Sequence, residues 1–531
     1  MQKHLLIIVC LLYGCFANAQ TAIDSTFGTN GYASSPRLEG KDAKRLVMLE
    51  GGSFLVVGNI FSSNGRTIIS KYTKDGQLDT KFGTFGIRTI ILKANNYFNP
   101  EAVVLSKDSM LIIGLRNYDY ATSRSNIVLL KTNLKGQVDT AFGDSGFLAI
   151  PSDKGYIQQI DAMVVDRNGN ILMSYLRDIG DTKFRSVLRR YKANGELDTL
   201  FQQKGELRMY KYGDVVIQHL AITKDNRYLI SYMLPASPTI QAEPRDSNGN
   251  IIPNDPLNGK IRIDYGYSIS RYSYGLIIDK DENIFTYTAY GDLIRFPTYS
   301  TVKYTYLSLY KYDKLGNPIR SFGSNSLVAM KLHSKYCLYG IRGMTIDSKG
   351  RFIFAVNYID TSLDNGTNYP FDNYNSIVHR LTPNGRLDST FNETGRFEDF
   401  KEGEFSDELK DIALQADDKI IATGLISEID NNYRQFICRF NERSPGTSII
   451  RLTTNESPTI TTYPSPFNTS LTLSGISQPF NYAIHNTLGQ LVFSGYSDNA
   501  TIDNLGFLLQ GLYTLTVNDG NKVTVIKIVK G

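Results

Sequence analysis

Apolar and polar positions along this chain fall into short alternating runs. Stretches of four to six aliphatic or β-branched residues are broken by Asn, Asp and Gly, a pattern that predicts β-hairpins. Seven hairpins can be read. Residues 46–49 and 54–57 flank Gly51-Gly52, and residues 163–165 and 171–173 flank Asn168-Gly169-Asn170. The others turn at Asp108-Ser109, Asp225-Asn226, Asp281-Glu282-Asn283, Lys349-Gly350 and Asp417-Asp418. A further apolar strand follows most of them, at 68–72, 127–131, 187–191, 307–312, 377–381 and 436–440. No stretch holds a 3.6-residue period over twelve residues, so helices are expected to be rare.

A short block repeats in step with the hairpins. Ile23-Asp24-Ser25-Thr26-Phe27-Gly28 with Gly31 returns as Leu78-Asp79-Thr80-Lys81-Phe82-Gly83 with Gly86, and as Val138-Asp139-Thr140-Ala141-Phe142-Gly143 with Gly146. Weaker copies stand at Leu197-Asp198 with Phe201 and Gly205, and at Leu387-Asp388 with Phe391 and Gly395. A decayed copy is Ile319-Arg320-Ser321-Phe322-Gly323, with Arg320 read at the Asp position, and the stretch from Asp246 to Ile251 is the expected remnant of one more. The first four aspartates lie 55, 60 and 59 residues apart. Each unit is therefore expected to hold four strands in about 60 residues.

Building a blade accounts for the block. The aliphatic residue before Asp is expected to point into a core. Asp caps a turn by accepting backbone N–H groups, Phe is a buried anchor, and the glycines take positive φ or close approaches. A calcium loop is a poor fit, because one carboxylate per copy falls far short of six to eight oxygens.

The chain enters the pattern in mid-unit at Ile23-Asp24 and leaves it at Phe440-Asn441, just before a block is due. The first block is therefore expected to complete the last unit, closing a ring that leaves only short strand edges. The expected fold class is all-β: a seven-bladed β-propeller over residues 20–443, with an open solenoid as the alternative. On these residues the region 23–441 resembles the delta-60 repeat family, and the resemblance implies a propeller-like domain of an extracellular bacterial protein. It brings no catalytic activity.

Composition shifts after Asn441. Residues 444–460 form a linker rich in Ser, Thr, Pro and Asn. Strands resume over 461–531 and predict a small antiparallel β-sandwich. Four ordered motifs here resemble the type A sorting domain of the type IX secretion system. They are Tyr463-Pro464-Ser465-Pro466-Phe467, a central turn at Gly489, the run through Gly511 and Tyr513, and a closing stretch from Lys527 to Lys530. Ser465 departs from the usual Asn. The resemblance implies a Bacteroidetes-type cell, with the secretion machinery and its sortase as partners, and a product that is secreted or attached to the outer-membrane surface.

The other terminus agrees. Lys3 and His4 precede an apolar run from Leu5 to Phe16, followed by Ala17-Asn18-Ala19. This is the layout of a signal peptide over 1–19, cleaved before Gln20. A membrane anchor and a lipoprotein signal at Cys15 are the alternatives. No other run approaches 18 apolar residues, so no transmembrane span is expected in the mature chain. A net charge of +5 on 57 basic and 52 acidic residues, with no basic stripe, does not indicate nucleic acid. Cys337 and Cys438 are expected to be unpaired buried thiols, with a disulfide between them as the alternative.

Candidate chemistry is sparse. Five histidines show no zinc-type spacing, and neither a nucleophile elbow nor a phosphate loop occurs. No catalytic, metal or cofactor residue is expected. The acidic pairs Asp279/Asp281, Asp417-Asp418 and Glu402/Glu404 are candidates for glycosidase carboxylates, but turns account for most of them. An irregular stretch from Pro235 to Asp264 precedes a tyrosine cluster in which Tyr265, Tyr267, Arg271, Tyr272 and Tyr274 form a candidate ligand surface. Ordinary strand tyrosines in a chain without Trp account for the same cluster. The leading expectation is a non-enzymatic propeller that binds a surface polysaccharide or another surface protein. The alternatives are a carboxylate-based polysaccharide hydrolase or lyase and a structural surface-layer protein.

Overall fold

The computed structural model describes residues 23–33, 41–60, 65–92, 96–151, 157–180, 183–209, 215–234, 239–264, 274–295, 300–331, 336–360, 374–398, 407–427, 433–441, 461–476, 479–487, 491–518 and 523–531. Residues 1–19 and 444–460, where a signal peptide and a linker are expected, lie outside them. The chain divides into two compact units, Met1–Ser444 and Pro445–Gly531. Among the described residues there is no α-helix, only two single 3-10 turns at Glu50–Gly52 and Phe201–Gln203.

The first unit is a series of antiparallel meanders. Sheet 1 spans 41–91, sheet 2 96–150, sheet 3 157–208, sheet 4 216–264, sheet 5 274–331 and sheet 6 336–397, each with four strands in chain order. Sheet 7 spans 407–440 with three. The first strand of each sheet lies beside the first strand of the next, and that of sheet 7 lies beside that of sheet 1. The succession is a closed cycle.

This arrangement explains why the second strands read as unbroken apolar runs. Successive strand residues point to opposite faces, and here both faces are covered. In sheet 1, Leu55 and Val57 join Leu111, Ile113 and Leu115 of sheet 2 in one core. Phe54 and Val56 join Ile421 and Ile437 of sheet 7 in another. Equivalent cores lie between sheets 2 and 3, 3 and 4, 4 and 5, 5 and 6, and 6 and 7. Each large aliphatic or aromatic side chain so buried contributes about 1.5–3 kcal/mol.

The N-terminal segment completes sheet 7, as the chain ends predict. Ile23 bridges Phe440 and Tyr32 bridges Cys438. The Asp24 N–H donates to the Arg439 carbonyl at 2.8 Å and the Ala33 N–H to the Ile437 carbonyl at 2.8 Å.

The repeated block staples neighbouring sheets together. One Asp oxygen caps its own turn: Asp24 Oδ1 accepts the Thr26 N–H, Asp79 Oδ1 that of Lys81, and Asp388 Oδ1 that of Thr390. The other oxygen pairs with a cation eight residues earlier on the third strand, at Lys71–Asp79, Lys131–Asp139, Arg190–Asp198 and Arg380–Asp388. Most of these cations also lie over the block's Phe ring, as Arg190 does over Phe201 and Arg380 over Phe391. Several reach onward to the next sheet's turn, where Lys131 donates to the Ala193 carbonyl at 3.1 Å. The turn glycine of that next sheet sits on the same ring: a Cβ on Gly76 would lie 2.7 Å from Phe27.

Two expectations need correction and one needs narrowing. The aliphatic residue before Asp covers the block's second glycine and packs on a core in most copies, with Ile23 buried between sheets 6 and 7, but Leu197 is 39% exposed. In sheet 5 the Asp position is held by Ile319, not Arg320, because the Ile319 N–H donates to the Lys311 carbonyl as Asp79 does to Lys71. Lys311 then has no carboxylate from its own block and stands over Phe285 and Phe322 instead. In sheet 4, Asp246–Asn250 is the turn before the block, with the Gly249 N–H bonded to the Asp246 carbonyl. The block itself follows from Ile251, and Leu257 takes the place of Phe beneath Gly316.

The second unit has a three-stranded sheet (Thr461–Tyr463, Leu471–Ser474, Thr501–Ile502) and a four-stranded one (Leu491–Ser497, Phe480–His485, Gly511–Asn518, Val523–Lys530). One core built on Phe467, Leu471, Phe480, Ile484, Leu515 and Ile528 draws on both sheets.

Candidate functional site

The first strands carry an irregularity that the hydrophobic pattern does not reveal. In six sheets the pairing of the first strand with the second skips a residue: Lys44, Glu101, Asp161, Gln218, Arg342 and Lys410, with a second skip at Gln158 in sheet 3 and at Tyr339 in sheet 6. A bulged residue is released from the ladder, and its side chain is aimed elsewhere. The freed backbone N–H groups are taken up by the preceding sheet. Ile160 N–H donates to Glu101 Oε2 at 2.7 Å, Leu46 N–H to Asp411 Oδ2 at 2.8 Å, and Leu409 N–H to Ser376 Oγ at 2.9 Å.

A cavity of about 250 Å³ opens where these strands meet. Lys44 and Arg45 of sheet 1, Asn99, Pro100 and Glu101 of sheet 2, Ile341 and Arg342 of sheet 6, and Lys410 of sheet 7 line it. Arg45 donates to the Lys44 carbonyl at 2.8 Å and across to the Glu101 carbonyl at 2.6 Å, which fixes its guanidinium against the wall. Arg116 Nε lies 2.7 Å from Glu101 Oε1. Glu408 receives both Lys410, at 2.7 Å, and Arg342, at 3.1 Å. Burial pushes the Glu101 and Asp411 carboxyls above the ordinary range, against the pull of Arg116 on Glu101 and of Arg45 on Asp411. The lining thus offers many N–H donors, and its one carboxylate is already held by a guanidinium and a backbone N–H.

The other candidates fall elsewhere. Tyr265, Tyr267, Arg271 and Tyr272 lie outside the described residues, and Tyr274 opens the first strand of sheet 5. Asp279 caps its turn through the N–H groups of Asp281 and Asn283. Asp418 accepts the Ser348 N–H from the turn of sheet 6 at 2.9 Å. Glu402 and Glu404 lie outside the described residues. Cys438 is a free, buried thiol.

In the second unit the motifs at its two ends come together. The Phe467 N–H donates to the Val529 carbonyl at 2.9 Å, and the Gly531 N–H to the Phe467 carbonyl at 2.8 Å. Phe467 is buried and Tyr463 exposed, and Pro464 and Pro466 stand between them. Gly511 opens the strand that carries Tyr513, whose hydroxyl donates to the Leu509 carbonyl at 2.7 Å. Lys527 is exposed, whereas Lys530 is buried with its ammonium 2.9 Å from the Gly531 carbonyl. Gly489 lies outside the described residues.

Two family models match the chain. One, described as a secretion system C-terminal sorting domain, covers residues 461–531; the other, a domain of unknown function (DUF5122) beta-propeller, covers residues 415–442. No curated relative matches it. Among solved structures it is similar to PorZ, a surface component of the type-IX secretion system of Porphyromonas gingivalis, at 11% identity over 92% of this chain and 75% of that one, with a TM-score of 0.20. A protein of unknown function from Dyadobacter fermentans shows 9% identity over 65% and 95%, with a TM-score of 0.35. A PL25 ulvan lyase shows 10% over 76% and 83%, with a TM-score of 0.34. At these values neither structural detail nor activity carries over from those proteins. Residues 461–531 are therefore a secretion-system C-terminal sorting domain, the repeats before it include a DUF5122 β-propeller segment, and the chain is a propeller-type protein marked for secretion and attachment at the cell surface.

Proposed function

We propose that this protein is a surface-displayed binding module: seven sheets serving as the seven blades of one propeller, which captures a glycan or a surface protein at its centre without turning it over. The C-terminal unit is a β-sandwich that the type IX machinery recognises and its sortase processes, after a signal peptide over 1–19 has directed the chain to the periplasm. One observation carries the binding reading. Six first strands place a polar residue at a bulge, where sheet pairing makes no demand on residue type, and four of the six line one cavity. Glu101 serves the scaffold, but sheet pairing does not call for the cations Lys44, Arg342 and Lys410 at the other three.

Surface labelling of cells expressing the full chain and a form lacking 461–531 tests display. The full chain is expected at the surface and the truncated form in the periplasm. Glycan arrays and surface-protein pull-downs with the full chain test binding. Capture that survives replacement of Arg342 and Lys410 by Gln would move binding away from the cavity and sink the reading.

A further inference from the structure

Resting on that reading, we infer that the cavity selects an anionic sugar unit, a carboxylate- or sulfate-bearing residue of an acidic polysaccharide. The bulge residues are not distributed evenly by charge. Consecutive sheets 6, 7 and 1 present Arg342, Lys410 and Lys44, and the next two, sheets 2 and 3, present Glu101 and Asp161. The cavity lies on the cationic arc, with Arg45 added to its wall.

The carboxylates of this region are committed to the scaffold. Glu101 holds Arg116 and the Ile160 N–H. Asp411 holds the N–H groups of Leu46 and Ile412. Glu408 is a single carboxylate shared between Lys410 and Arg342. Asp161, which does not line the cavity, takes the Gln159 amide at 2.6 Å. Two cations, Lys410 and Arg342, thus face one shared carboxylate, which leaves an excess of positive charge beside the cavity. A second oxyanion in the cavity would balance it, in the charge-assisted geometry that suits carboxylate and sulfate.

Size limits the occupant. At about 250 Å³ the cavity lies below the usual range for drug-sized ligands, ~300–1,000 Å³. It admits one charged unit with the rest of a chain outside, rather than a folded protein surface. Asn99 adds an amide at the rim, whose Nδ2 lies 3.1 Å from Glu101 Oε1.

The test is titration calorimetry on the full chain with oligogalacturonate, its methyl ester, a sulfated galactan oligosaccharide and inorganic sulfate. One or both acidic oligosaccharides are expected to bind, more weakly as salt rises, and the ester to fail. Lys410→Gln and Arg342→Gln should each weaken binding roughly tenfold, the loss of one charge-assisted contact. Lys410→Arg should restore most of it, and Lys527→Gln in the sorting domain should change nothing. Thermal melts identify any variant that has lost its fold, and Lys44→Gln then stands in for it. Ester binding as tight as the acid's overturns the anion selectivity and leaves the binding reading intact. Sulfate binding as tight as the oligosaccharides' overturns the sugar assignment. Silence from every probe, with neutral glycans and surface proteins also uncaptured, overturns both.

Discussion

Asp24 and Arg439 are 415 residues apart in the chain, and Arg439 Nε donates to Asp24 Oδ2 at 2.8 Å. Both side chains are almost fully buried, and Arg439 also lies over the Phe27 ring and donates to the Lys74 carbonyl of sheet 1 at 2.8 Å. One guanidinium thereby joins the N-terminal block, the last strand and the first sheet. Lys71 and Asp79 make the same pair within sheet 1, but with both side chains over a quarter exposed. Removing one partner of a buried pair strands the other, at about 3–5 kcal/mol, whereas an exposed pair is worth about 0–1 kcal/mol. Asp24→Ala is therefore expected to lower stability several times more than Asp79→Ala, as measured by denaturant unfolding. Equal losses would show that the ring does not depend on this closure.

Acid should attack the same junction. Burial raises the Asp24 carboxyl, but hydrogen bonds from Thr26 and Lys419 and the charge of Arg439 outweigh it and hold the group below its ordinary value. A depressed carboxylate stabilises the fold above its unfolded pKa of about 4, and that contribution fades as pH falls toward the folded value. The stability gap between wild type and Asp24→Asn should narrow below pH 4.

His379 supplies a second acid-sensitive term. Burial lowers its pKa to about 3, and the nearby Arg396 charge pushes the same way. The ring stacks on Phe354 at 4.9 Å and stands 3.3 Å from the Tyr358 hydroxyl. The unfolded chain binds the proton from about pH 6.5 downward and the folded chain does not, so stability falls by up to about 1.4 kcal/mol per pH unit between those values. His379→Phe should flatten the pH dependence of unfolding between pH 6.5 and 4. An unchanged slope would mean that the ring titrates normally.

Gly76 and Gly51 share a φ of 78° but not their surroundings. A Cβ on Gly51 meets nothing within 4 Å, and one on Gly76 drives into the Phe27 ring. Gly51→Ala should cost only the left-handed backbone strain, about 1–2 kcal/mol. Gly76→Ala should cost that and the displacement of Phe27, at least doubling the loss in a thermal melt.

Burial pushes the Cys438 thiol well above its usual pKa, and it packs in the core shared by sheets 6 and 7. In a Cys337→Ser background, thiol reagents should label Cys438 only under denaturing conditions, because the reactive species is the thiolate. Rapid labelling of the native chain would require that core to open.

Phe467 ties the start of the sorting domain to its end. Phe467→Ala should destabilise that unit by about 3–5 kcal/mol and reduce the amount of protein reaching the surface. Full display would show that the machinery reads the motif without its packing.

The hairpins, the repeated block and the sorting motifs were legible because each depends on residues close together in the chain, and the ring-closing offset because it follows from the order of those local blocks. A turn needs its Asp or Gly at a fixed place, and a signature recurs at a fixed period. The cation eight residues before each Asp repeats as regularly, at Lys71, Lys131, Arg190 and Arg380, and was open to the same reading. Its meaning is not local, since it links a carboxylate, a ring and a carbonyl of another sheet.

The copies in sheets 4 and 5 show the limit of matching by letters. Leu257 and Ile319 hold their places through backbone pairing, which tolerates a changed side chain, so resemblance alone set the block at Asp246 and at Arg320. By itself the sequence determined which segments are strands, which ends must meet and where the chain is sent. Tertiary structure alone decided that Lys44, Glu101, Arg342 and Lys410 share a cavity. A bulge is set by two strands competing for register, and the residues it releases meet only when seven separately coded sheets are brought round to a common centre.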